Sequence, residues 1–210
     1  KAGDEEQKSQ DGQLETKLHW STSKKEILIQ AIRPEEIKWI SKIGQGSTAQ
    51  VHKAKWFGRD VAAKKYTYPK DKALKKLNRE SSVHSQIPEH PLILAFVGAC
   101  TIAEHPYLVC QLAVGCTLES VLRKYDKVPE GRNPWPVRQK KPQILRWMQG
   151  LTRAVQFLHS QDPLIVHRDI NPSNVLLVEG MREIRLFDFG SAKVCKKDML
   201  KEAGLPHRDD

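Results

Sequence analysis

The sequence predicts an α+β fold on three observations. Short β-rich runs separated by glycine, proline or charged turns fill residues 37 to 112, one amphipathic helical stretch interrupts them, and a long helical stripe of apolar residues follows in the second half. With 210 residues the chain can bury a core, either as one sizeable domain or as two lobes.

Taken in order, residues 1–24 are polar, poor in branched apolar side chains and without a period, which predicts a flexible leader in which Trp20 stands out. A lead-in segment, 25–36, follows. The runs "IKWISKIG", "QVHKAKWF", "RDVAAKKY", "LILAFVG" and "PYLVCQL" then predict five strands of an antiparallel sheet within 37–113. Between the third and fourth, "DKALKKLNRESSVHSQI" predicts a helix with Leu74, Leu77 and His84 on one face and Lys72, Lys75, Lys76 and Arg79 on the other.

The remainder, 114–210, reads as mainly helical. After "GCTLESVLRKYD", the prolines at 129, 134, 136 and 142 predict a loop. Ile144, Met148, Leu151, Val155 and Leu158 then recur at spacings of four and three, the mark of a long helix with one buried stripe. Beyond "HRDINPSN", the segments "VLLV" and "IRLF" flank "EGMRE" as a hairpin that carries "DFG" at its end.

Several function classes are disfavoured by composition. The longest apolar run, Leu92 to Ala103, falls short of the ~18 residues that cross a bilayer, so no membrane span is expected. Cys100, Cys110, Cys116 and Cys195 lack C-x-x-C pairing or zinc-ligand spacing and read as reduced thiols of a cytoplasmic protein. The net charge of +10 raises a nucleic-acid reading, but the basic residues are interleaved with acids rather than gathered in a stripe, and no nucleic-acid partner is expected.

The chemistry-bearing residues fall in one order. In "IGQGSTAQV", Gly44 and Gly46 let the backbone turn tightly and bring N–H groups near phosphate oxygens, and the strand that follows, where a dinucleotide fingerprint needs a helix, rules against a Rossmann unit. Lys64 sits in the apolar "VAAK" and needs a counter-charge, for which Glu80 on the helix is the candidate. In "HRDINPSN", Pro172 prevents a continuous helix, so Asp169 and Asn174 project from a shaped loop that can aim a carboxylate at a hydroxyl and an amide oxygen at a metal. Asp188 of "DFG" follows an apolar strand, where a carboxylate can bind magnesium carrying phosphate.

Glycine loop, lysine, helical glutamate, H-R-D with an asparagine five later, and D-F-G together resemble the signature set of the protein kinases. "WFGRDVAAKKY" and "HPLILAFVGAC" are similar to the tyrosine-kinase-like group, most of whose members phosphorylate serine or threonine. The resemblance covers Ile37 to about Gly190 and implies a bilobal kinase-like fold, ATP and Mg2+ as cofactors, and a protein substrate in signalling. It implies that Lys64, pinned by Glu80, holds the α and β phosphates, that Asp169 accepts the hydroxyl proton, and that Asn174 and Asp188 bind magnesium. Ile43, Gly44 and Gly46 would cover the nucleotide, Val51, Ala62 and Leu176 would sandwich the adenine, Cys110 would guard the back of the pocket, and Gln111 to Ala113 would form the hinge. Arg168 would await a phosphate on the activation loop.

Three departures stand out. Neither Asn171 nor Ser173 supplies the cation that kinases usually carry in this loop; Asn171 can donate a hydrogen bond to the transferring phosphate, so the expectation is a slower enzyme, the alternative being a pseudokinase scaffold. Ala49 replaces the third loop glycine, and His84 stands at a usually aliphatic helix position, where a satisfied core histidine is expected. The chain reaches Asp210 without an A-P-E motif, which predicts a kinase domain truncated after D-F-G.

Overall fold

A computed structural model describes residues 6–8, 14–17, 28–46, 48–126 and 137–195. The chain divides into two compact units, one of residues 1–88 and 95–112, the other of 89–94 and 113–210.

In the first unit, β4 (Ile37–Gln45), β5 (Ala49–Trp56), β6 (Arg59–Tyr66), β7 (Phe96–Cys100) and β8 (Tyr107–Gln111) form an antiparallel sheet in the order β4-β5-β6-β8-β7, the five strands that the β-rich runs predict. Strand alternation gives this sheet two faces of different chemistry. Ala54, Trp56, Val61, Ala63, Tyr107 and Val109 are buried together with Ile32 and Ile37. On the other face the register sets Val51, Lys64 and Leu108 in one row and Ala62 beside Cys110 in the next.

The lead-in is part of this unit. β3 (Leu28–Gln30) pairs with β2 (Leu14–Lys17), which pairs with β1 (Glu6–Lys8), so two short strands lie in the stretch where composition predicts an irregular leader. Ile32 N–H donates to the Ala99 carbonyl at 2.9 Å. Gly98 permits this approach, since a Cβ there would lie 2.6 Å from the Gln30 carbonyl oxygen and 2.8 Å from Ile32 Cδ1. Burying Ile32 contributes about 2 kcal/mol and fastens the lead-in to the edge strand.

Helix α1 (Lys70–His84) starts after Pro69, with Asp71 in its first turn, where a carboxylate is favourable. Its buried line runs through Ala73, Leu77, Glu80 and His84, and Leu74 stands half-buried at its flank. The expected face is thereby shifted by one residue at its start, from Leu74 to Ala73.

In the second unit, β9 (Gly115–Thr117), β11 (Val175–Val178) and β12 (Glu183–Leu186) form an antiparallel sheet, and β10 (Leu164–Val166) pairs with β13 (Lys193–Cys195). The β11–β12 pair is the expected hairpin. Residues 89–94 join here because Leu94 N–H donates to Leu186 O at 3.0 Å and Leu186 N–H to Leu92 O at 2.8 Å. Helix α2 spans Leu118–Asp126 and α3 spans Val137–His159.

α3 departs from expectation twice. It begins at Val137, so Pro142 lies inside a helix rather than in the predicted loop. The first four N–H groups of a helix have no intrahelical partner, so proline at the sixth position removes only one early bond. The buried line passes through Trp147, Ala154 and Leu158, with Gly150 against Ile184, whereas Ile144 and Met148 of the expected stripe are exposed. Trp147 sets this rotation by burying its ring and donating Nε1–H to the Met181 carbonyl at 2.7 Å. Prolines 129, 134 and 136 lie outside the described residues.

Candidate functional site

The first unit supplies one set of predicted residues. Gly44 lies near the end of β4 opposite Val51, and Gly46 stands in the β4–β5 turn, which its N–H closes on the Ala49 carbonyl at 2.9 Å; Ile43 before them is exposed. Ser47 lies outside the described residues. Lys64 Nζ lies 2.9 Å from each carboxylate oxygen of Glu80, the partner the sequence singles out. Glu80 is almost wholly buried, and Tyr66 Oη–H donates to its Oε2 at 2.6 Å. Two donor groups thus make three hydrogen bonds to a desolvated carboxylate, the condition under which a buried ion pair is tolerated. Tyr66, two residues after Lys64 and hence on the same sheet face, escaped the sequence reading although period two places it there.

Val51, Ala62 and Cys110 share that face. His84 is buried with Nδ1 4.0 Å from Cys110 Sγ and its ring 5.4 Å from Phe96, as expected of a core histidine. All four cysteines are free thiols. Gln111 is exposed and pairs through its N–H with Ala95 O, whereas Ala113 belongs to the second unit.

The second unit brings the loop residues together. Asn171 is the N-cap of a 3-10 turn, Pro172–Asn174, its Oδ1 accepting Ser173 N–H at 2.9 Å, and proline suits the first position of such a turn. Asn171 Nδ2 donates to Asp169 Oδ1 at 2.8 Å, and Asn174 Nδ2 donates to Asp169 Oδ2 at 3.0 Å and to its carbonyl at 2.9 Å. The amide expected on the phosphate is therefore on the aspartate. The side-chain hydrogen bonds of Asn174 to Asp169 use its nitrogen, and its amide oxygen is a hard donor of the type that could hold Mg2+.

His167 ties this loop to the next. Its Nε2 meets the Phe187 carbonyl at 3.0 Å, its Nδ1 accepts Asp169 N–H at 3.3 Å, and its ring lies edge-on to buried Phe189 at 4.9 Å. Asp188 caps the turn Phe189–Ser191 by accepting Gly190 N–H at 3.3 Å. Both Asp188 and Arg168 have φ of +65°, a left-handed conformation that costs a non-glycine residue on the order of 1 kcal/mol and that concentrates at functional loops. Arg168 Nε donates to the Ser191 carbonyl at 2.6 Å. Leu176 is half-buried on β11, opposite Thr117.

An open groove of about 460 Å³ runs beside the loop, lined by Glu119, Leu122, Arg123, Asn171, Pro172 and Ser173. Among the described residues no helix is long and apolar enough to cross a membrane, and no group of three or more His, Cys, Asp or Glu side chains is placed to hold a metal ion.

The profile of the protein kinase domain matches residues 37–204. The chain belongs to the protein kinase family. A mimivirus protein (Acanthamoeba polyphaga mimivirus) named as a serine/threonine-protein kinase/receptor is 31% identical over 179 residues, 83% of this chain and 10% of its own length. The dual specificity protein kinase shkC of Dictyostelium discoideum is 35% identical over 174 residues, 81% of this chain and 32% of its own. A RasGEF domain-containing serine/threonine-protein kinase of the same organism is 32% identical over 164 residues, 78% and 16% of the two chains. This kinase chain thus spans between about a tenth and a third of the length of these relatives.

Proposed function

We propose that this kinase chain transfers the γ-phosphoryl group of ATP to serine or threonine hydroxyls of protein substrates in signalling. The observation that carries the reading is the Lys64–Glu80 pair, both carboxylate oxygens 2.9 Å from one ammonium, since that pair must be in place for a kinase to hold the nucleotide phosphates. Val51, Ala62, Cys110 and the Gln111–Ala113 hinge are the first unit's and hinge's contribution to adenine binding, Leu176 the second unit's. Ile43, Gly44 and Gly46 cover the phosphates. Asn174 and Asp188 hold Mg2+, which when bound neutralises charge on the phosphates. Asp169 orients the acceptor hydroxyl and takes its proton. The choice of serine or threonine rests on the names of the relatives and on the resemblance to the tyrosine-kinase-like group.

A second reading, a nucleotide-binding scaffold in the cytoplasm, is favoured by one observation: residues 171 and 173 bring no cation beside Asp169. The deciding experiment offers radiolabelled Mg-ATP and peptide libraries with serine, threonine or tyrosine as the sole acceptor. The kinase reading predicts label on serine or threonine and a loss of at least about 10²-fold in Lys64→Met. Retained thermal stabilisation by Mg-ATP with no label on any library establishes the scaffold instead.

A further inference from the structure

Asn171 has more to satisfy than a turn. An asparagine side chain offers one carbonyl acceptor and two N–H donors. Here the acceptor takes both Ser173 N–H and Ser173 Oγ–H, and the amide nitrogen donates to Asp169 Oδ1 at 2.8 Å, with the Asp169 carbonyl beyond at 3.4 Å. The opposite carboxylate oxygen is held by Asn174. With one N–H committed to the carboxylate, only the second, which meets the Asp169 carbonyl at 3.4 Å, is left for any other acceptor. A lysine at this position has no acceptor, so it could not cap the turn through Ser173 N–H.

We propose that Asn171 is a positioning residue: it and Asn174 grip the two oxygens of Asp169, and Ser173 holds Asn171 in place. The loop thereby spends its polar side chain on fixing the geometry of the base rather than on a charge at the phosphate. This deepens, and rests on, the phosphoryl-transfer reading. Two of the roughly four lone-pair directions of the carboxylate are occupied, which leaves a defined pair for the acceptor hydroxyl. Such fixation matters because a misplacement of about 1 Å can cost about 10²-fold in rate.

The test uses the full-length protein and separates the cap from the clamp. Asn171→Asp keeps an N-cap of equal quality but sets a second carboxylate against Asp169. The melting temperature should stay within about 2 °C, while kcat falls about 10²-fold and KM for ATP changes less than about twofold. Ser173→Ala should lower kcat less, and should add nothing further in an Asn171→Ala background, because it acts through Asn171. Wild-type kcat in Asn171→Asp, or independent effects of Ser173 and Asn171, overturns the proposal. The carboxyl carbon resonance of Asp169, assigned with Asp169→Asn, gives a readout free of turnover. It should move in Asn171→Ala, and an unmoved resonance refutes the clamp. A wild-type protein without turnover would defeat the phosphoryl-transfer reading, and this resonance would still decide the clamp.

Discussion

His167 Nε2 lies 3.0 Å from the carbonyl oxygen of Phe187, while its Nδ1 accepts the backbone N–H of Asp169 at 3.3 Å. One imidazole thus joins the backbone of the loop that carries Asp169 to the backbone entering D-F-G. Only the neutral ring can do so, donating from one nitrogen and accepting at the other. Burial accordingly pulls His167 below the usual 6.5, against the opposing pull of the Phe187 carbonyl and the Asp188 and Asp169 carboxylates.

The first prediction follows from the sign of that shift. Burial also lowers His90, stacked on Phe157 at 4.2 Å. Below pH 6.5 the unfolded chain binds protons that these folded rings refuse, so their stabilising effect is full above 6.5 and lost as pH falls toward the folded values. The loss is at most roughly 1.4 kcal/mol per pH unit for each histidine. Urea melts at pH 7.5 and 5.5 should show lower stability at the acid end, and His167→Gln should weaken that dependence; equal slopes in both proteins would refute it.

Tyr66→Phe removes the hydroxyl that donates to Glu80 Oε2 at 2.6 Å. A bond to a buried charged acceptor is worth about 1.5–3 kcal/mol, so chemical denaturation should register a loss of that size. Unchanged stability would mean that Lys64 alone satisfies Glu80.

Gly98→Ala tests the attachment of the lead-in. The new methyl would meet the Gln30 carbonyl at 2.6 Å, backbone that cannot simply rotate away. Residues 28–32 should lift from β7 and gain hydrogen exchange, while Lys64 and Glu80 keep theirs. Unaltered protection at Ile32 N–H would contradict the assignment.

Pro142→Ala restores one early helical hydrogen bond and removes a ring clash, so it should stabilise the protein, by up to about 3 kcal/mol. Proline in a loop would give no such gain, and thermal melts of the two proteins distinguish the cases.

The contrast between Lys64 and Asn171 marks how far the sequence could be read. Each of the five sheet strands is at least five residues long and bounded by turn residues, and the order from Gly44 to Asp188 is carried by residue type, so both were legible. Strands β9, β10 and β13 have three residues each, too few to display a period. The α3 face turned on Trp147 and Gly150, whose aromatic bulk and missing side chain count for little in an aliphatic stripe. The reach of Asn171 was hidden for another reason. An amide bonds to whatever the local turn presents, and only the 3-10 turn of Pro172–Asn174 aims it at Asp169.

In the proposed reaction Asp169 serves the acceptor hydroxyl and not the nucleotide. The most direct measurement is the initial rate of peptide phosphorylation by Asp169→Asn, taken with its stabilisation by Mg-ATP. A loss of at least about 10²-fold with the Mg-ATP stabilisation retained is the expected result. Phosphorylation at the wild-type rate would contradict it.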